Sequence, residues 1–273
     1  MMDIIVLDLD GTLLNSRKEI SPANYAALER AAAAGALIVP STGRFYSGMP
    51  EAVRSLPFVR YAITVNGAMI YDAKEDKTLY TAELDCARAD QVYDYLDTLD
   101  VIYDCFQDGW GWMDRSHQEK APEYVFEPHV LEMIYRLRNP LDNFRQTIRD
   151  RGKGLQKIQM FFRDPELRLK MLKELPQAFP DLSVTTSISN NIEINSAGAD
   201  KGTALRELCR QLNLDVSRSM AFGDGLNDTS MLQAAGIGVA MENAHPDLKA
   251  VADHITDSND SDGVAKAIAR FCF

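Results

Sequence analysis

Apolar residues near both ends of this chain come in short unbroken runs, each closed abruptly by a polar cluster. Ile4-Ile5-Val6-Leu7 is the first, and Asp8-Leu9-Asp10-Gly11-Thr12 follows it directly. Runs that are apolar at successive positions read as strands buried on both faces, as in a parallel sheet. Ala36-Leu37-Ile38-Val39 is a second such run, closed by Pro40-Ser41-Thr42-Gly43-Arg44. A third, Tyr61-Ala62-Ile63-Thr64-Val65, stops at Asn66-Gly67 and leads into Ala68-Met69-Ile70-Tyr71, the pattern of a hairpin. Between the first two, Ser21-Pro22 opens a helix through Ala34 that Gly35 stops.

From about Leu84 the texture changes. Residues 84–190 mix acidic helical segments with aromatic strands such as Val101-Ile102-Tyr103-Asp104-Cys105-Phe106 and the strand from Leu155 to Phe162. Strands and helices without polar-tipped buried runs predict an α+β unit inserted into the main domain. Alternation resumes after Asn191. A helix is predicted from Lys201 to Leu212, a strand at Ser219-Met220-Ala221-Phe222 and a helix from Asn227 to Ala235. A strand at Ile237-Gly238-Val239-Ala240 and a helix from Gly263 to Phe271 follow. The fold class is therefore α/β: a Rossmann-like, three-layer core with a parallel sheet, built from residues 1–83 and 191–273, plus an inserted α+β cap over 84–190. There are no internal repeats.

The 273 residues are 46% hydrophobic and 25% charged, an ordinary globular balance. A net charge of −11 argues against the basic stripe of a nucleic-acid binder. It leaves room for an anionic substrate, because a metal ion reverses the local sign. No apolar stretch is long enough for a membrane span, and a signal-peptide pattern is missing, so a cytoplasmic protein is expected. Cys86, Cys105, Cys209 and Cys272 have no paired spacing and are expected to be reduced.

Chemistry concentrates where the core strands end. A parallel sheet gathers the carboxyl ends of its strands along one edge, where ligands bind. Asp8-Leu9-Asp10, Ser41-Thr42-Gly43 and Gly223-Asp224-Gly225-Leu226-Asn227-Asp228 would meet there, bringing four carboxylates, a hydroxyl and glycines that admit a ligand to the backbone. Buried acids need partners, so Asp8 and Asp10 imply a cation, a charged substrate, or both. Lys201, opening a helix after Gly198-Ala199-Asp200, adds a cation where free amides already favour an anion.

These four segments, in this order, resemble the motifs of the haloacid dehalogenase superfamily, specifically its Cof-type phosphatases with a large α/β cap. The resemblance runs through the whole chain, by motif in the core and by position in the cap. It implies a Mg²⁺-dependent phosphomonoester hydrolase acting on small phosphorylated metabolites, such as sugar phosphates or phosphorylated cofactors. Asp8 would be the nucleophile of an aspartyl-phosphate intermediate. Asp10 would protonate the leaving alcohol and then take a proton from water, its pKa raised by its acidic neighbour. The pattern implies Mg²⁺ ligation by the Asp8 side chain, the Asp10 carbonyl and the Asp224 side chain. Leu9, Thr42, Gly43, Lys201 and Asn227 would hold the phosphoryl oxygens, with Lys201 also counted catalytic and Asp228 orienting Lys201 or a metal-bound water.

In such relatives the cap closes over the core and selects the leaving group. Arg44, Asn66 and Gly67 are expected near the crevice as substrate contacts. Tyr103, Phe106, Trp110 and Trp112 are read as cap core around a Gly-bearing hairpin. Glu242 stands where relatives carry glycine, which raises the expectation of a positive φ there. The partner expected is a small phosphate ester, with no nucleic acid or membrane, and the chain a monomer or weak homodimer. Two other readings stay open: a phosphotransferase like the phosphomannomutases, and a non-catalytic sensor of phosphorylated metabolites. Asp10, which mere binding would not require, weighs against the sensor.

Overall fold

The computed structural model describes residues 2–273, which fall into two units. One comprises the chain up to Thr81 together with Asp200–Phe273; the other is Ala82–Ala199.

The first unit begins with β1 (Ile4–Leu7), α1 (Pro22–Ala33), β2 (Leu37–Pro40) and α2 (Glu51–Arg54). An antiparallel meander follows, β3 (Tyr61–Thr64), β4 (Met69–Asp72) and β5 (Lys77–Thr81). Ser21 Oγ accepts the Asn24 N–H at 3.1 Å and Pro22 opens α1, as the dipeptide predicts.

The second unit runs α3 (Cys86–Leu96), β6 (Val101–Gln107), β7 (Trp110–Asp114), α4 (Arg115–Tyr124) and α5 (Pro128–Leu137). It continues with β8 (Arg138–Leu141), α6 (Phe144–Asp150), β9 (Lys157–Phe162), α7 (Pro165–Ala178), β10 (Leu182–Thr185) and β11 (Asn191–Ser196). Its sheet has the order β10-β11-β9-β6-β7-β8 and is antiparallel except between β7 and β8. Tyr103, Cys105, Ile158, Met160, Ile192 and Ile194 bury one face under α3, α6 and α7. Ile102, Met113 and Phe161 pack on the other face against α4 and α5. Asp108 and Gly109, both at positive φ, turn the β6–β7 hairpin.

The chain then completes the first unit with α8 (Lys201–Leu212), β12 (Ser219–Gly223), α9 (Thr229–Ala234), β13 (Ile237–Ala240), α10 (Pro246–Val251), β14 (His254–Ile255) and α11 (Gly263–Phe271). The expectation that core texture returns at 191 is wrong by one strand. β11 pairs with β9 and β10 in the second unit's sheet, since its alternating Ile192 and Ile194 complete that apolar face. The core resumes at Asp200, which caps α8 through the Thr203 N–H at 2.8 Å.

The first unit's main sheet is parallel throughout, in the order β14-β13-β12-β1-β2. α1 packs with α11 and α8 with α9, giving the three layers. Each parallel pair requires a crossover, and strand order reverses direction beside β1. Leu7 lies level with Phe222 on one side and Pro40 on the other, so three strands end side by side. No helix among the described residues is long and apolar enough to cross a membrane.

Candidate active site

Asp8, Ser41 and Asp224 each begin the segment just beyond one of those three strands. Backbone bonds hold them level: Asp8 N–H donates to Phe222 O at 3.0 Å and Ser41 N–H to Leu7 O at 2.7 Å. The Leu9 side chain is fully buried, so only its main chain can meet a ligand.

Lys201 binds this cluster together. It is 0% exposed, and its ammonium donates to Asp8 Oδ1 at 2.6 Å, Asp228 Oδ1 at 2.6 Å and Ser41 O at 3.2 Å. Those bonds use all three of its protons. Asp228 turns its other oxygen to the Asp224 and Gly225 N–H groups, both at 3.0 Å, which fixes the loop carrying Asp224. Asp224 Oδ1 accepts the Thr12 hydroxyl at 2.8 Å. Glycines permit this crowding. A Cβ on Gly11, which sits at φ +85, would lie 2.4 Å from the Asp224 carboxylate. One on Gly202 would lie 2.1 Å from Ser230 O, so α8 and α9 touch backbone to backbone there.

Electrostatics follow from three acids around one lysine. Burial, reinforced by the charges of Asp228 and Asp224 against that of Lys201, raises the Asp8 carboxyl well above its ordinary range. Burial and then the Asp228 charge push Asp224 up to about 6. Burial alone would lower a lysine, but the Asp228 and Asp8 charges outweigh it and keep Lys201 protonated.

Asp10 departs from expectation. Its neighbours are cations, not acids: Arg44 holds both its oxygens at 2.9 to 3.1 Å and Lys18 donates to Oδ1 at 2.8 Å. Burial works to raise its pKa, but Arg44 and Lys18 together bring it below the ordinary value. Arg44, expected as a substrate contact, is in this structure the partner of Asp10. Lys18 went unnoticed because it lies on a turn at positive φ, outside any motif. Thr12 was visible in the first motif, but its role toward Asp224 depends on the fold.

Val65, Asn66 and Gly67 all take positive φ, at 52°, 57° and 93°. For β-branched Val65 that backbone is strained, and it is retained where the chain meets the site. A Cβ on Gly67 would lie 2.2 Å from Asp200 O, so this glycine, expected to touch substrate, packs against the start of α8. Asn66 Oδ1 accepts from Asn227 at 3.2 Å, joining two expected ligand contacts. Thr42 is buried, and its hydroxyl accepts the Arg44 N–H at 3.2 Å. Glu242 avoids positive φ and points to solvent, so the glycine of relatives is not needed for a left-handed turn.

A cation has donors here. Carboxylate oxygens of Asp8, Asp224 and Asp228 lie within 4.8 Å of one another, and one lysine cannot balance three acids. All-oxygen donors of this kind suit a hard divalent ion. His117, His129, His245 and His254 form no metal cluster among the described residues. His117 instead faces the Tyr103 backbone at 3.2 Å and His245 caps α10. All four cysteines are free thiols.

The fold and this cluster together define a hydrolase class. A sequence model of the haloacid dehalogenase-like hydrolases matches residues 5–268, and the chain belongs to that family. It is a phosphatase of that family. It is 33% identical over 282 residues to "Phosphatase YwpJ" of Bacillus subtilis, covering 97% of this chain and 98% of that protein. It is also 33% identical to the B. subtilis "5-amino-6-(5-phospho-D-ribitylamino)uracil phosphatase YcsE", over 98% of this chain and 95% of that protein. A solved haloacid dehalogenase-like hydrolase from B. subtilis superposes with TM-score 0.84 at 31% identity, covering 99% of this chain and 100% of that one.

Proposed function

We propose that the protein hydrolyses phosphate monoesters of small metabolites in two Mg²⁺-dependent steps through an aspartyl-phosphate on Asp8. The observation that carries this reading is Lys201, buried and donating at 2.6 Å to both Asp8 and Asp228. It holds the proposed nucleophile in place and puts a fixed positive charge where phosphoryl oxygens gather charge.

A carboxylate oxygen of Asp8 attacks phosphorus as the ester P–O bond breaks. Asp10 gives a proton to the departing alkoxide. Water then attacks the aspartyl-phosphate, Asp10 takes the proton that water sheds, and the Asp8–phosphorus bond breaks to release inorganic phosphate. Asp10 thus ends as it began. Its pairing with Arg44 and Lys18 represents the carboxylate form, the one the second step needs. Thr42, the Gly43 amide, the Leu9 main chain and Asn227 are the remaining contacts for the phosphoryl group. Asp8 and Asp224, with the Asp10 carbonyl, would hold Mg²⁺, which when bound offsets the cluster's negative charge and that of the phosphate.

The test is phosphate release from a panel of esters with Mg²⁺, with a chelator, and with Asp8→Asn. Metal-dependent release that disappears in the variant supports the reading. No release from any ester overturns it, and transfer between sugar phosphates would point to the phosphotransferase instead.

A further inference from the structure

Three of the segments that form the Asp8 site meet a fourth that supplies none of its acids. Val65, Asn66 and Gly67 run on from β3, within the same unit, and bind to each of those three in turn. The Val65 N–H donates to Arg44 O at 2.9 Å and the Asn66 N–H to Thr42 O at 3.0 Å, which ties the turn to the loop after β2. Gly67 packs on Asp200 O, one residue before Lys201. The Asn66 side chain reaches the third segment, where Asn227 Nδ2 donates to its Oδ1 at 3.2 Å. Asn66 is buried and Asn227 half-buried.

Two glycines make room for this pair of amides. A Cβ on Gly43 would lie 2.8 Å from Asn66 Oδ1, and one on Gly225 would lie 2.6 Å from Asn227 Oδ1. The amides therefore fill places that side chains on those two loops would take. Asn66 has φ 57° and ψ 30°, in the left-handed region that asparagine accepts more readily than most residues. Val65, at φ 52° and fully buried, has no such tolerance. A buried, strained turn persists where its surroundings over-determine it. Here the surroundings are the Thr42 loop, the Asn227 loop and the start of α8.

An asparagine side chain has a donating and an accepting edge, and only the donating one suits a phosphoryl anion. Half a turn about its last torsion exchanges the two, and that torsion is soft. As Asn227 stands, its Nδ2 faces Asn66 Oδ1; turned over, two carbonyl oxygens would face each other. Nδ2 carries two protons, so one stays with Asn66 and the second is left for an oxygen of the substrate. We propose that Asn66 is a positioning residue, which sets the Asn227 amide with an N–H toward the phosphoryl group. The proposal rests on the phosphatase reading above, in which Asn227 is a phosphoryl contact. Asn66, expected as a substrate contact, thus acts through Asn227 and leaves the alcohol of the ester untouched.

Asn66→Gly removes the amide and keeps a residue for which this left-handed backbone is unstrained, so the turn should still form. It is compared with Asn227→Ala and with Asn66→Gly/Asn227→Ala in a double-mutant cycle. The substrates are a hexose phosphate and nitrophenyl phosphate, with Mg²⁺. Asn66→Gly should lower kcat/KM by roughly 10-fold, and by the same factor on both esters, because the phosphoryl group is common to them. In the Asn227→Ala background the same change should lower it by less than about twofold, since the amide it sets is gone. A merely structural role would give equal losses in both backgrounds, and that result overturns the assignment. A loss confined to one ester, the mark of a contact with the alcohol, overturns it too, as does no loss in Asn66→Gly. If the unaltered protein releases phosphate from neither ester, the phosphatase reading fails and takes this one with it. Release from the unaltered protein with losses that multiply in the double variant removes this inference alone.

Discussion

Two buried ionic clusters, one in each unit, differ chiefly in their balance. Around Lys201 stand three acids: Asp8 and Asp228 accept its ammonium, Asp228 also accepts loop N–H groups, and Asp224 accepts the Thr12 hydroxyl. Around Phe106, Arg138 answers Asp104 and Lys157 answers Glu193. The first cluster holds more acids than cations and raises the pKa of Asp8 and Asp224; in the second each acid has a cation, and Asp104 Oδ1 has no hydrogen-bond partner among the described residues. Charge excess in a buried site leaves acids that pull one another's pKa upward, whereas a balanced pair of ion pairs leaves only its hydrogen bonds to be met.

The sharpest way to break the comparison is Asp8→Asn. Phosphate release should fall by about a thousandfold or more, because the proposed mechanism passes the phosphoryl group through the Asp8 carboxylate. The metal-free fold should be as stable as before or more so, since one of three crowded acids is gone. Arg138→Met should do the reverse in the second unit. It should cost about 3 kcal/mol or more in denaturant unfolding by stranding Asp104, while Asp104→Leu/Arg138→Met recovers most of the loss.

Adding Mg²⁺ sharpens the contrast further. At a hundredfold excess over its Kd the ion should stabilise the fold by about 2.7 kcal/mol, read as a rise in unfolding temperature. Asp224→Asn should abolish that rise, and Asp104→Leu/Arg138→Met should leave it intact. The smallest effect is the pH dependence of the metal-free protein. Asp224 titrates near 6 when folded and near 4 when unfolded, so between these values the folded form holds more protons. Stability should therefore fall as pH rises through that window, by on the order of 1 kcal/mol, and Asp224→Asn should flatten this part of the profile. A profile unchanged by the substitution would remove Asp224 as the source.

Much of this was readable from residue order. Buried strands ending together bring Asp8, Thr42 and Asp224 to one edge because parallel pairing leaves the chain little choice, and Asp200 announces α8 by its cap. What escaped depends on partners distant in the chain. Asp10 looks from its sequence neighbours like an acid beside an acid; only the folded loops bring Arg44 and Lys18 to it. β11 resembled core because a strand's alternation does not say which sheet receives it. Asp104 sits inside a mostly apolar strand, where alternation hides a charged position on the second face.

Gly202 gives the Lys201 site its sense of scale. Where a residue with a side chain would carry a carbon, this one carries hydrogen, and the carbonyl of Ser230 occupies the space. The spacing between two helices, and with it the reach of an ammonium to two carboxylates, is gauged by an atom that is not there. Adding that atom would leave helices, sheet and charges all nominally intact. It would still lengthen contacts now at 2.6 Å, the kind of displacement to which phosphoryl chemistry is far more sensitive than folding is.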